Sequence, residues 1–178
     1  MKIILLSGKA RNGKSETAKI IKKKLKSKGN KVLITAYGHL VKFICEKFFD
    51  SDGQKNEYNR SLWQYVGTDV IRKEKPNYWV DFIIDIISMF PNEWDYVIVD
   101  DCRFPNELNR YGEEWDTITV RVNRLNFKSP LTLEQQNHIS ETNLDNFSFD
   151  YVIESESGLD NLEKEVDKFL KWMEELDE

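Results

Sequence analysis

The chain has 178 residues, of which 40% are hydrophobic and 32% are charged, and its formal net charge is −5. These values are typical of one folded globular domain, and they argue against collagen-like repeats, coiled coils, disorder and a global basic field that would recruit polymeric nucleic acid. Two cysteines and two histidines with no Cys-x-x-Cys pair favour neither a disulfide scaffold nor a zinc site. From the chain length we expect a single domain over residues 1–178.

The first predicted elements are a strand, a loop, a helix and a second strand. The run from Lys2 to Ser7 is apolar and β-branched, as in a strand that is buried on both faces. Residues Lys14 to Lys28 have helical spacing, with one apolar face formed by Ala18, Ile21 and Leu25. Because Val32 to Ala36 predicts another strand, the chain opens as a βαβ unit.

The middle of the chain predicts a helical insertion over about residues 38–92. A helix is expected over His39 to Phe49, and a second stripe of helical spacing follows at Leu62, Val66 and Val70. After Pro76, a further stripe is formed by Trp79, Ile83, Ile87 and Phe90.

Three more strands and a terminal helix complete the prediction. The strands are expected over residues 96–101, 117–122 and 151–153. The last helix begins near Leu159, and the residues expected to face the core are Leu162, Val166, Phe169, Met173 and Leu176. Five strands alternating with helices predict an α/β fold of three layers, in which a five-stranded parallel sheet has helices on both faces.

The N-terminal residues show no recognisable targeting signal. Its apolar run, residues 3–6, is shorter than a secretory signal requires, and no window approaches the ~20 apolar residues of a membrane span. We therefore expect a cytoplasmic protein that makes no contact with membranes.

A phosphate-binding loop is predicted between the first strand and the first helix. Residues Gly8 to Ser15 fit G-x-x-x-x-G-K-[ST], in the strand–loop–helix context that the motif requires. The glycines let backbone N–H groups turn towards phosphate oxygens, Lys14 can reach the β- and γ-phosphates, and the Ser15 hydroxyl can bind Mg²⁺. The alternative is an ordinary glycine turn with a solvated lysine. The motif therefore predicts a P-loop NTPase fold that binds ATP, with Gly8, Arg11, Asn12, Gly13, Lys14, Ser15 and Glu16 as the ATP-binding residues.

Two acidic residues end the third predicted strand. P-loop enzymes place a carboxylate there to hold Mg²⁺ or its water, so Asp100 and Asp101 are candidate metal ligands together with Ser15. The alternative is that the two acids cap the helix near Phe104.

The motifs that are absent from the sequence narrow the class of P-loop protein. A GTPase needs Asn-Lys-x-Asp after a strand, and a motor or helicase needs a longer chain, so a small kinase remains. Such kinases need arginines to neutralise the negative charge of the phosphoryl group during its transfer. The candidates are Arg60, Arg72, Arg103, Arg121 and Arg124, although any one of them could be part of a surface ion pair.

Three further blocks resemble a known family. Residues 101–107 fit D-x-R-F-x-N-E, residues 63–72 fit W-Q-x-x-G-T-D-x-x-R, and residues 138–141 fit H-x-S-E. Together with the P-loop they resemble the phage-type deoxynucleoside monophosphate kinases, which belong with the adenylate-kinase-like P-loop kinases. The resemblance implies the reaction ATP + dNMP → ADP + dNDP with Mg²⁺, in the host cytoplasm if a phage encodes the chain, and it allows a homodimer.

The resemblance also implies roles for individual residues. The segment 124–140 would form a lid, and the catalytic residues would be Lys14, Asp101, Arg103 and Arg124. The acceptor nucleotide would contact Lys9, Tyr37, Gln64, Gly67, Thr68, Arg72, Trp79 and Arg103. Trp79 could stack on a base or fill the core.

One departure and two open questions remain. The family often reads F-A-D-x-L-K after the second strand, whereas this chain carries His39 in place of the acid, which puts the choice of acceptor in doubt unless His39 only begins a helix at the surface. The H-x-S-E block has no assigned step, and Ser140 could simply cap a helix. Two other functions stay open: a kinase of a non-nucleotide acceptor, and a regulatory protein that binds ATP without transferring phosphate.

Overall fold

The computed structural model describes residues 1–176, and a five-stranded sheet runs through its centre. All the strand pairs are parallel, and the strand order is β2-β3-β1-β4-β5. The strands are β1 (Lys2–Ser7), β2 (Val32–Thr35), β3 (Tyr96–Cys102), β4 (Asp116–Arg124) and β5 (Tyr151–Ser155). The five predicted strands and their parallel arrangement are therefore confirmed.

Helices cover both faces of the sheet. They are α1 (Lys14–Ser27), α2 (Tyr37–Phe48), α3 (Glu57–Gln64), α4 (Tyr78–Met89), α5 (Pro105–Asn109), α6 (Leu133–Asn137), α7 (Ile139–Thr142) and α8 (Leu159–Glu175). A π-helical segment, Tyr65–Arg72, continues α3, and a 3₁₀ turn, Arg110–Glu113, continues α5. Among the residues that the structure describes, no helix is long and apolar enough to cross a membrane.

The sheet separates two apolar cores, because successive strand side chains point to opposite faces. On one face, β1 places Ile4 and Leu6 against α1 and α8. On the other face, Ile3 and Leu5 of the same strand pack against the helices of the insertion, chiefly α2 and α4. This three-layer arrangement is the P-loop kinase fold that the sequence predicts.

Three apolar residues lie differently from the predicted stripes. Phe90 and Leu176 are 50% and 58% exposed, because each ends its helix and points past the core. Val70 is also exposed, because it lies in the π-helical segment, where the wider turn displaces residues from the 3.6-residue spacing that was assumed. Val66, by contrast, is buried as expected.

The sheet brings the functional loops to one edge. The carboxyl end of β1 leads into the P-loop and lies between the carboxyl ends of β3 and β4. The register between β1 and β3 shifts from Leu5 opposite Val99 to Ser7 opposite Cys102, so an extra residue is accommodated at Asp100 and Asp101. This edge is where ligands bind in open parallel sheets.

Candidate active site

The P-loop adopts a conformation that its glycines make possible. Gly8 has a φ of +147°, and a Cβ at this position would collide with the carbonyl oxygen of Val122 in β4. Gly13 has a φ of +96° and is the residue from which α1 starts. The loop therefore directs backbone N–H groups and the positive end of α1 towards one point, as anion binding requires.

Lys14 is held inside this loop. Its ammonium donates hydrogen bonds to the carbonyl oxygens of Gly8 at 2.6 Å and Lys9 at 2.9 Å. Burial and, to a lesser degree, the positive charge of Arg103 lower the pKa of Lys14 to about 7, whereas the negative charge of Glu141 opposes the change. The charge of Lys14 is thus sensitive to its surroundings near neutral pH.

A groove of about 550 Å³ passes over the P-loop. Eight of the predicted ATP and catalytic residues line it: Arg11, Gly13, Lys14, Ser15, Glu16, Asp101, Arg103 and Arg124. Arg124 lies at the end of β4, where its guanidinium donates to the Ser157 hydroxyl at 2.9 Å and stacks on Phe127. The groove continues past Asn12 to the loop after β5, which begins at Glu156.

The two strand-end acids have different surroundings. Asp101 accepts N–H bonds from Tyr37 at 2.9 Å and Gly38 at 2.7 Å, so its carboxylate caps the start of α2. Burial raises the pKa of Asp101, and the neighbouring Asp100 adds to this effect. The Asp100 carboxylate forms no hydrogen bond or ion pair within residues 1–176, and it faces Lys14 closely enough to raise the pKa of that lysine. Neither acid caps the helix that follows Phe104; the side chain of Glu107 does so.

A second pocket, of about 160 Å³, lies between β3 and the insertion. Seven of the eight predicted acceptor residues line it, namely Tyr37, Gln64, Gly67, Thr68, Arg72, Trp79 and Arg103. The pocket adjoins the groove over the P-loop, because several residues line both: Gly38, Lys42, Arg60, Trp63, Asp101 and Arg103. We refer to the two spaces as the donor groove and the acceptor pocket, after the predictions made for the residues that line them.

One wall of the acceptor pocket is held together by the buried carboxylate of Glu107. Glu107 is 1% exposed, forms an ion pair with Arg72, and accepts backbone N–H bonds from Arg103 and from Phe104 at 2.9 Å. Burial raises the pKa of Glu107 to about 7 although the Arg72 charge opposes the change. The Arg72 guanidinium lies 4.0 Å from the centre of the Phe104 ring. The D-x-R-F-x-N-E block and the last residue of W-Q-x-x-G-T-D-x-x-R therefore form one unit.

The aromatic residues of the pocket are also part of the core. Trp79 is 1% exposed, and its indole N–H donates to the carbonyl oxygen of Gly67 at 2.9 Å. The Tyr37 hydroxyl lies 2.9 Å from that of Tyr111. Trp79 thus fills the core and fixes the π-helical segment, and it does not present an open face for stacking on a base.

Sequence comparison with protein families gives a match over most of the chain. The family described as deoxynucleotide monophosphate kinase matches residues 36–166, which is well over half of the 178 residues. The chain belongs to this family. It is therefore a phosphotransferase of the nucleoside monophosphate kinase type, and membership of the family implies that it uses ATP and a nucleotide substrate. A comparison with curated proteins gave no match.

Solved structures share the fold of this kinase. Dephospho-CoA kinase from Campylobacter jejuni has a TM-score of 0.54 at 11% identity, over 96% of each chain. Thymidylate kinase from Ehrlichia chaffeensis has a TM-score of 0.53 at 15% identity, over 95% of this chain and 98% of its own. Shikimate kinase from Aquifex aeolicus vf5 has a TM-score of 0.52 at 17% identity, over 96% of each chain. Identities this low show the fold alone.

Some of the residues that the sequence analysis singled out lie outside the acceptor pocket. Lys9 is exposed, and its ammonium pairs with Asp145 at 2.9 Å instead of lining the acceptor pocket. Arg121 pairs with the same carboxylate at 3.2 Å. His39 is exposed on α2 and lines the donor groove. The replacement at position 39 therefore lies away from the walls of the acceptor pocket.

Other residues of the site were not predicted. Lys42 lines both spaces on α2, and Glu107 and Glu141 are buried acids of the acceptor pocket, of which Glu141 also contacts Ala10 in the P-loop. Glu107 ends the D-x-R-F-x-N-E block and Glu141 ends the H-x-S-E block, so the motifs contained both acids without indicating what they contact. Ser140 does not cap α7, because the side chain of His138 accepts the N–H bond of Ser140 at 3.2 Å.

Proposed function

We propose that this kinase transfers the γ-phosphoryl group of ATP to a deoxynucleoside monophosphate with the help of Mg²⁺, giving ADP and the diphosphate. The observation that carries the proposal is the junction of the donor groove and the acceptor pocket, where Lys42, Arg60 and Arg103 line both spaces. A phosphoryl group that passes from one side to the other would remain among these cations. Positioning and charge neutralisation are what phosphoryl transfer requires of a protein.

The ATP polyphosphate would lie on the P-loop. Its negative charge would draw the Lys14 ammonium from the carbonyl oxygens of Gly8 and Lys9, which accept its hydrogen bonds in this structure. Arg11 and Arg124 line the same groove and add positive charge. The nucleoside of ATP fits the end of the groove, a space of about 230 Å³ between Asn12 and the loop around Gly158.

The donor atoms near the P-loop fit Mg²⁺. Magnesium prefers oxygen ligands and is usually held by one or two protein groups together with phosphates and waters. Ser15 is exposed at the start of α1, and the Asp100 carboxylate has no hydrogen-bond partner among the described residues, whereas both oxygens of Asp101 accept backbone N–H bonds. We assign Ser15 and Asp100 to the metal and Asp101 to positioning α2. When bound, Mg²⁺ would neutralise charge on the β- and γ-phosphates.

The acceptor would lie in the pocket formed by α2, the π-helical segment and α5. Two buried donors that line this pocket, the Trp63 indole N–H and the Arg72 Nε–H, have no partner among the described residues. Buried donors of this kind are costly unless a partner is supplied. A nucleotide that offers acceptor atoms to them would supply it, and Gln64 and Thr68 add further polar contacts.

The segment 124–140 is the proposed lid. Its helix α6 is attached to the insertion, because the buried Gln135 amide donates to the Glu57 carbonyl oxygen at 3.3 Å and to the Ser61 hydroxyl at 3.2 Å. A lid that excludes water would prevent hydrolysis of ATP in place of transfer.

The test is a coupled assay of ADP release with Mg²⁺-ATP and a panel of dAMP, dGMP, dCMP, dTMP, hydroxymethyl-dCMP and the ribonucleotides. We expect strong turnover with at least one deoxynucleotide and none with the Lys14→Met variant. If the protein binds ATP but turns over no nucleotide, the proposal fails and a non-nucleotide acceptor or a binding role takes its place. The homodimer remains a prediction, which sedimentation velocity on the same sample would check.

A further inference from the structure

The H-x-S-E block contains a buried carboxylate at the junction of the donor groove and the acceptor pocket. The Glu141 side chain is 4% exposed. Its Oε2 atom accepts the N–H bond of Ala10 in the P-loop at 2.9 Å, and its Oε1 atom lies 2.6 Å from Nη1 of Arg103. A buried carboxylate is costly unless it is paired and hydrogen-bonded, and here both partners belong to elements that the proposed reaction uses.

The contact holds only one side of the Arg103 guanidinium. Nη1 is bound by Glu141 and also donates to the Ser140 carbonyl oxygen at 3.1 Å. The Nε and Nη2 groups form no hydrogen bond within residues 1–176, so they are available to a phosphoryl oxygen. Because a guanidinium is planar and rigid, fixing one edge orients the other.

The position of Glu141 is itself fixed from the acceptor pocket. His138, which caps α7, lies 3.3 Å from the Asp69 carboxylate, and the Gln64 amide donates to the Ser140 hydroxyl at 3.4 Å. Asp69 and Gln64 belong to the W-Q-x-x-G-T-D-x-x-R block. The segment that carries Glu141 is therefore attached to the acceptor-binding helices at one end and to the P-loop at the other.

Glu141 also affects the cations around it. Its charge raises the pKa of Lys14 and of Arg60 against the effect of burial. The carboxylate thus favours the charged forms of these two cations, and it occupies none of the atoms that Arg103 presents to the pocket.

We propose that Glu141 is a positioning residue for phosphoryl transfer: its carboxylate joins the P-loop, through Ala10, to Arg103 and fixes the angle at which Arg103 meets the phosphoryl group. This inference rests on the proposed kinase activity. Glu141 itself exchanges no proton and forms no bond with the substrate. Its effect should therefore appear in kcat and depend on Arg103.

The experiment is a double-mutant cycle with Glu141→Gln and Arg103→Ala, using the deoxynucleotide that the wild type turns over fastest. Glutamine can still accept the Ala10 N–H bond but loses the ion pair. We expect Glu141→Gln to lower kcat by about 10- to 100-fold, as misplacement of a catalytic group does, with the Kd of ATP within about threefold of wild type. In the Arg103→Ala background the same change should cost less than about twofold, because the residue it acts through is gone.

Two further variants separate positioning from folding. Asp150 is an exposed residue whose carboxylate accepts two hydrogen bonds from Thr119, and it lines neither the donor groove nor the acceptor pocket, so Asp150→Asn is the control for loss of a hydrogen-bonded carboxylate elsewhere and should leave kcat unchanged. Glu141→Asp keeps the charge but is too short to bridge Ala10 and Arg103, so it should also lower kcat; it decides the matter if Glu141→Gln does not fold. A kcat within twofold of wild type in either folded Glu141 variant, or effects that add in the cycle, would overturn the proposal.

A failure of the proposed kinase activity would be recognised separately. If the wild type turned over no nucleotide, the amide resonance of Ala10 in ¹⁵N–¹H spectra would still test the link. We expect that resonance to move in Glu141→Gln, because its hydrogen-bond acceptor changes from a charged carboxylate to a neutral amide oxygen, and to stay in place in Asp150→Asn. An unmoved Ala10 resonance in Glu141→Gln would refute the hydrogen bond between the Glu141 carboxylate and the P-loop, whether or not the protein shows kinase activity.

Discussion

Raising the pH should weaken the binding of ATP, because Lys14 loses the proton that makes it a phosphate ligand. Burial lowers the pKa of Lys14 to about 7 in the free protein. At one pH unit above this pKa, only about a tenth of the molecules carry the charged lysine, which corresponds to about 1.4 kcal/mol of binding free energy. We therefore expect the Kd of ATP to rise about tenfold for each unit between pH 7.5 and 9.

Binding of ATP should also be accompanied by the uptake of a proton. The polyphosphate stabilises the ammonium form, so ATP binding raises the pKa of Lys14 and takes up a proton wherever the free lysine is neutral. The window starts at pH 7.5 because a terminal phosphate group, with a second pKa near about 6, is already ionised there. Isothermal titration calorimetry in buffers of different ionisation enthalpy should show uptake that approaches one proton at pH 8.5.

Two variants test whether Lys14 is the group that titrates. Lys14→Met should bind ATP weakly and without the pH slope. Lys42 lines the same groove, and burial together with the Lys55 charge lowers its pKa as well, so Lys42→Met is the matched control and should keep the slope. A Kd that does not change between pH 7.5 and 9, or an unchanged slope in Lys14→Met, would refute the reasoning.

Three further substitutions have expected outcomes. Gly8→Ala should abolish ATP binding and lower Tm, because the new Cβ meets a backbone carbonyl oxygen and the φ of +147° is strained for alanine; normal ATP binding would contradict this. Glu107→Ala should lower the free energy of unfolding by about 3–5 kcal/mol in urea titrations, because Arg72 is left buried without its partner; a loss below about 1 kcal/mol would show that the pair is not structural. Asp100→Asn should raise the Mg²⁺ concentration for half-maximal rate, whereas Asp101→Asn should mainly lower Tm by weakening the start of α2; the reverse pattern would exchange the two roles.

The sheet could be predicted from the sequence because its signals are local. Each strand is a short apolar run that a turn or loop ends, and the observed strands begin and end within two residues of the predicted ones, with β1 at Lys2–Ser7 as expected. The βαβ start fixed the parallel direction, and the P-loop fixed which edge would bind phosphate. These inferences needed no knowledge of which residues would meet across the fold.

The observed helices differ from the predicted ones for physical reasons that the apolar pattern of the sequence does not contain. The π-helical segment was assumed to be an α-helix, since periodicity cannot distinguish a single wide turn, and Val70 was misplaced as a result. Phe90 and Leu176 continue an apolar stripe in the sequence, but the helix reaches its end before the stripe does. The residue at which a helix ends depends on packing as well as on the apolar pattern of the sequence.

Seven of the residues that line the acceptor pocket were named through the family resemblance, whereas the contacts of its acids were not. Glu107 binds Arg72, which lies 35 positions earlier in the chain, and Glu141 binds Ala10 across 131 positions. Pairings of this kind depend on how the layers close, and no spacing rule predicts them. Asp101 was equally ambiguous, because a metal ligand and a cap for α2 look identical in the sequence.

The charges of the donor groove explain why those acids matter. The cations that line it are Arg11, Lys14, Lys42, Lys55, Arg60, Arg103 and Arg124, against the acids Glu16, Asp100 and Asp101, whereas the whole chain has a net charge of −5. So many cations in one groove repel one another, and burial already lowers the pKa of Lys14, Lys42 and Arg60. Without ATP, the acids that border the groove must offset this repulsion without filling the phosphate positions. Glu141 meets both conditions, because it binds Arg103 on the side away from the free N–H groups and takes its second hydrogen bond from the backbone of Ala10.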